Sequence, residues 1–245
     1  MLEVCCGSYY DALQAYAGGA KRIELNSALN LGGLTPSAAT LRLVKRDCPG
    51  LAVIAMVRPR GAGFCYSEED FLVMEEECRM LLEHGADGIA FGCLNADATL
   101  NLDQNRRLIA MIHASGKEAV FHRAFDCSSD PFQTMETLIG LSADRVLTSG
   151  LKPTAPAGRE MLRELQKRFG DQIEILAGSG INASNAAQLM ADTGITQVHS
   201  SCKGWIKDST TIVGEVSYSY APAPNEACYE VVSADRVREI LAAIG

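Results

Sequence analysis

Eight times along this chain a short apolar or β-branched run gives way to a segment with helical signals. The runs are LEVCC (2–6), RIELN (22–26), AVIAMVRP (52–59), GIAFGCL (88–94), EAVFHRAF (118–125), RVLTSG (145–150), IEILAGSG (173–180) and QVHSSC (197–202). Between them, TPSAATLRLVKR (35–46) reads as a helix with Thr35 as N-cap and Pro36 at its first position, and SEEDFLVMEEECRMLLEHG (67–85) as one capped by Ser67. SDPFQTMETLIG (129–140), NASNAAQLMADTG (182–194) and SADRVREILAAIG (233–245) follow the same grammar. Units of about 30 residues repeated eight times predict a (β/α)₈ TIM barrel, one α/β domain over residues 1–245. A Rossmann-type open sheet would want a G-x-G-x-x-G turn after the first strand, and none is present. Residues 203–232 stand outside the repeat and read as an irregular insertion.

Composition limits the partners. With 22 basic against 30 acidic residues the formal charge is −8, the wrong sign for a general nucleic-acid binder. No apolar run approaches the roughly 18 residues of a membrane helix, and MLEVCCGSYY has no basic, apolar export signal. The nine cysteines form no C-x-x-C pair, which predicts free thiols in a reducing cytoplasm.

In such a barrel the site lies at the carboxyl ends of the strands, so strand alternation selects its residues. Glu3 and Cys5, Glu24 and Asn26, Met56 and Arg58, His122, and His199 with Ser201 fall on inward positions. A charged strand end such as FHRAFD is costly unless its groups are paired or do chemistry. Two uses are open: a closed salt-bridge layer filling the barrel, or a polar pocket for a ligand. In the second, Glu3, Glu24, Arg58, His122 and Asp126 are the catalytic candidates. His122 would be an acid or base near neutrality, oriented by Glu3 or Glu24, and Arg58 would clamp a carboxylate or phosphate or pair with those glutamates. Arg60, Arg123, Ser149, Gly178, Ser179, Gly180, His199 and Ser200 are the substrate-binding candidates. The glycine-rich turn after strand seven, followed by a helix N-terminus, would hold an anion. Cys5 is the one metal candidate. The expected ligand is a small anion or a metal ion, copper possible, with no organic cofactor indicated.

The strings LEVCC, RIELN, GGLTPS, RPRG, GFCYS, FHRAFD, RVLTSG and HSS together resemble the CutC family, the copper homeostasis proteins, from Met1 to about Ser201. The resemblance implies a TIM barrel, a cytoplasmic homo-oligomer (dimer or tetramer) and a role in copper handling through cysteines on the first two strands. Cys5 matches the first of these. Asn26 stands where many members carry the second, and Ala62-Gly63 replaces the Gly-Asp of the usual RPRGGDF loop. The alternative is a TIM-barrel enzyme acting on a small anionic or phosphorylated metabolite at the same mouth.

Overall fold

The computed structural model describes residues 1–245, and in it eight parallel strands close into a barrel in sequence order. They are β1 (Leu2–Cys6), β2 (Arg22–Leu25), β3 (Ala52–Met56), β4 (Gly88–Phe91), β5 (Glu118–Phe121), β6 (Arg145–Thr148), β7 (Glu174–Gly178) and β8 (Gln197–Ser200). Around them run α1 (Tyr9–Ala17), α2 (Ala38–Asp47), α3 (Glu68–Glu83), α4 (Leu102–Ala114), α5 (Pro131–Gly140), α6 (Arg159–Phe169), α7 (Ala186–Thr193) and α8 (Ala234–Ile244). No helix is long and apolar enough to cross a membrane.

Alternation along the strands separates two environments. Val4, Ile23, Val53, Ile89, Val146 and Val198 point outward and join the main hydrophobic cluster under the helices. The inward face is divided. On β3, β4 and the middle of β5 it is apolar, with Ile54, Met56, Ala90 and Val120 packed together. Near the starts of the other strands, and of β5, it is ionic. Arg22 Nε lies 2.6 Å from Glu3 Oε2 and its Nη2 donates to Gln197 Oε1. Arg145 reaches Glu174 at 2.8 Å and Glu118 at 3.0 Å. The lower barrel is thus closed by paired charges, as a low-dielectric interior demands.

Several boundaries differ from the sequence expectation. Helix α2 is capped by Ser37, whose hydroxyl accepts from Thr40 N; Thr35 instead accepts from Arg58 N and donates to Glu77. Helix α7 begins only at Ala186, because Asn182 to Asn185 form a turn held by their own side chains. The stretch 203–232 is not irregular. It folds back as β9 (Lys203–Lys207) against β12 (Cys228–Val232), with a small hairpin, β10 (Ile212–Val213) and β11 (Val216–Ser217), at its far end. Asp11 anchors this lobe, accepting from Val232 N at 2.7 Å and from Gly7 N at 2.9 Å.

Candidate functional site

Above the ionic layer, at the carboxyl ends of the strands, a cavity of about 400 Å³ opens to solvent. Cys5, Glu24 and His199 form one side. Arg58, His122 and Phe64 also line it, as do Ser179 and Gly180 from the loop after β7. Lys203 and Glu230, paired with each other, bring in the β9–β12 lobe.

Strand register assembles the first side. Glu3 sits opposite Arg22 on one neighbour and His199 on the other, and Cys5 sits opposite Glu24. His199 Nδ1 lies 2.9 Å from Glu3 Oε1, which leaves Nε2 as its available ring nitrogen. Single donor atoms of Cys5, Glu24 and His199 all lie within 4.8 Å of one another. Burial alone would push the Glu3 carboxyl up, but His199 and Arg22 outweigh it and hold it below the usual range. Burial would likewise lower His199, yet its hydrogen bonds to Cys5 and Glu3 and the Glu24 charge raise it well above an ordinary imidazole. Burial raises both the Cys5 thiol and the Glu24 carboxyl. One thiol, one imidazole and one carboxylate, with a second carboxylate behind the imidazole, match the donor types and outer-shell support of a transition-metal site.

The other side is built differently. His122 caps the 3₁₀ turn Arg123–Cys127, its Nδ1 accepting from Ala124 N at 3.2 Å. Nδ1 is therefore unprotonated, and the neutral ring carries its hydrogen on Nε2. Burial, aided by the Arg58 charge, lowers the His122 pKa to about 3. The expectation of an acid or base titrating near neutrality does not hold for His122, and neither Glu3 nor Glu24 orients it. Nor does Arg58 compensate those glutamates: Arg22 and His199 attend Glu3. Arg58 gives its terminal nitrogens to the carbonyls of Leu31, Gly33 and Ala62.

The CutC family model matches residues 1–204. The chain belongs to the CutC family. A family protein CutC from Treponema denticola is 42% identical over 241 residues, covering 98% of this chain and 97% of that protein. One from Vibrio cholerae is 40% identical over 202 residues, 82% of this chain and 79% of the relative. The crystal structure of a CutC from Streptococcus agalactiae, provisionally named for copper homeostasis, superposes with a TM-score of 0.77. It is 26% identical and covers 82% of this chain and 98% of that one.

Two strings that mark this chain as CutC are stitched together in space. Asp126 of FHRAFD accepts from Thr148 Oγ1, Ser149 N and Leu151 N of the LTSG loop, and Arg123 Nε meets it at 2.7 Å. Both Asp126 oxygens are taken, so the structure places it as a brace outside the cavity lining. Ser149 belongs to that brace. Arg60 braces the loop before α3 through Asp70 and the Cys65 carbonyl. Glu3 lies under the cavity. Gly178 also stays out of the lining, but a Cβ there would come within 2.6 Å of Leu147, so glycine lets β7 approach its neighbours. Arg123, Ser179, Gly180, His199 and Ser200 do border the cavity. In the expected anion turn, Ser179 Oγ donates away to Pro153 O, and the Asn182 and Ser184 amides are capped by Asn185 and Asn182 side chains. Asn26 donates to Glu24 Oε2 at 2.9 Å and to Cys5 Sγ at 3.6 Å. Sequence reasoning missed Arg22, although it shares the face of Glu24 two residues later. It also missed Phe64, Lys203 and Glu230, which no local pattern announces.

Proposed function

We propose that this CutC protein captures copper as its cargo, as Cu(I), through Cys5 and His199. Support comes from one observation above all: the Cys5, Glu24 and His199 donors converge within 4.8 Å at the side of a solvent-open cavity. Thiolate and imidazole suit a soft ion, whereas a carboxylate is a poor Cu(I) ligand, so Cys5 and His199 are the ligands and Glu24 a neighbour beside them. Loading requires Cys5 to lose its thiol proton and His199 to present Nε2 unprotonated. Glu3 is a positioning residue, fixing the imidazole through Nδ1. The proposal includes a cytoplasmic location, with which nine free cysteines agree, and assembly as a homo-oligomer, dimer or tetramer.

The test is a Cu(I) titration of the full chain under anaerobic, reducing conditions against a chromogenic competitor. One ion per chain, lost in Cys5→Ser with the far-UV spectrum unchanged, is the expected result. Copper uptake equal in wild type and Cys5→Ser would overturn the proposal.

A further inference from the structure

Glu24 is a buried acid with no counter-charge in contact. It is 4% exposed, and its carboxyl group meets only Cys5 Sγ, at 3.9 Å, and the Asn26 amide, at 2.9 Å. Its neighbour Glu3, by contrast, lies between Arg22 and His199. A buried carboxyl without a cation must hold a proton or carry a cost of several kcal/mol. Its surroundings offer a further outlet. Asn26 Nδ2 donates to Glu24 and, at 3.6 Å, to Cys5 Sγ, so one amide holds both side chains in place. His199, its Nδ1 taken by Glu3, keeps Nε2 available. One donor atom from each of Cys5, Glu24 and His199 lies within 4.8 Å of the other two, and all three residues line the solvent-open cavity. Cu(I) would use the sulfur and the nitrogen and leave the carboxyl idle.

We propose that Cys5, Glu24 and His199 together form a three-ligand site for a borderline divalent ion, Zn(II), with a fourth position open to the cavity. Donor type and charge select the ion. Zn(II) accepts thiolate sulfur, imidazole nitrogen and carboxylate oxygen in one tetrahedron, and three protein ligands leave a place for water or another exchangeable ligand. With Cys5 and Glu24 ionised and His199 neutral, two negative charges meet two positive ones, and the loaded site is neutral. A monovalent ion on the same residues would leave one buried negative charge over. Mg(II) and Ca(II) want oxygen ligands and would gain nothing from the sulfur. In a tetrahedral site of this kind the donors stand about 3.3–3.6 Å apart, so they draw in by about 1 Å as the ion enters. The inference shares Cys5 and His199 with the copper reading but does not rest on Cu(I) binding.

Metal-free full-length protein, reduced and anaerobic, is titrated with Co(II) as the spectroscopic stand-in for zinc, then with Zn(II) against a chromogenic chelator. One Co(II) per chain is expected, with a sulfur-to-cobalt charge-transfer band and the strong visible bands of a four-coordinate ion, all lost on adding Zn(II). Cys5→Ser should remove the charge-transfer band. Glu24→Gln, which keeps the side-chain shape, should weaken Zn(II) binding by about tenfold or more. If that variant does not fold, Glu24→Ala is measured in its place. No bound cobalt, weak six-coordinate bands, a sulfur band retained in Cys5→Ser, or unchanged zinc affinity in the Glu24 variant would overturn the proposal. The copper titration is read separately, so failure with either ion leaves the result for the other standing.

Discussion

Glu3 Oε1 meets His199 Nδ1 at 2.9 Å, across strands that are first and last in the barrel and 196 residues apart in sequence. The same carboxylate meets Arg22 on its other flank. One buried acid therefore closes the barrel seam and fixes the imidazole at the cavity. Glu3→Gln removes the anion that faces both Arg22 and His199. A loss of about 3–5 kcal/mol in urea unfolding is expected, with Cu(I) affinity falling about 10- to 100-fold. Wild-type values for both would show that the pair is idle.

Asn26 occupies the place from which a second thiol would reach the cargo. Asn26→Cys should raise Cu(I) affinity by about tenfold or more in the competitor titration, because a soft ion gains a second sulfur. The lost hydrogen bond to Glu24 is expected to reduce stability by about 1 kcal/mol. An unchanged affinity would place the cargo elsewhere.

His122 makes the fold acid-sensitive. Its folded pKa, about 3, lies below the ordinary 6.5, so the unfolded chain binds a proton there that the folded chain refuses. The stabilisation is complete above pH 6.5 and is lost as pH falls, by up to about 1.4 kcal/mol per pH unit. Denaturation at a series of pH values between about 6 and 4 should therefore give a flatter stability curve for His122→Phe than for wild type. Parallel curves would mean that His122 titrates normally.

Gly92 allows His122 its position. A Cβ there would sit 2.7 Å from His122 Cε1 and Nδ1 and 2.8 Å from Ala124 Cβ. Gly92→Ala is expected to cost about 1–3 kcal/mol through overpacking against the His122 ring. Thermal unfolding reads the effect, and an unchanged midpoint in Gly92→Ala would show that the ring has room to move.

Much of this was legible in the chain. The eightfold alternation predicts the closed barrel, and the two-residue period correctly sends Glu3, Cys5, Glu24 and His199 inward, because pleating is a local property. The helix start after Ser67 follows from capping chemistry that acts within a few residues. The cap expected at Thr35 lies at Ser37 instead. Thr35 has a better hydrogen-bonding use in contacts with Arg58 and Glu77, which lie far along the chain.

By itself, then, the sequence determined the repeat, the inward set of ionisable groups and the CutC resemblance. Only the tertiary structure decided who pairs with whom. Glu3 belongs to Arg22 and His199, Asp126 to the LTSG loop, and Arg58 to three carbonyls with one donor left over. It also shifts the pKa values of two histidines that look alike on paper in opposite directions, one beside buried anions and one buried beside a cation. Periodicity fixes which face a side chain takes, whereas charge, burial and partner choice depend on neighbours brought together only when the barrel closes.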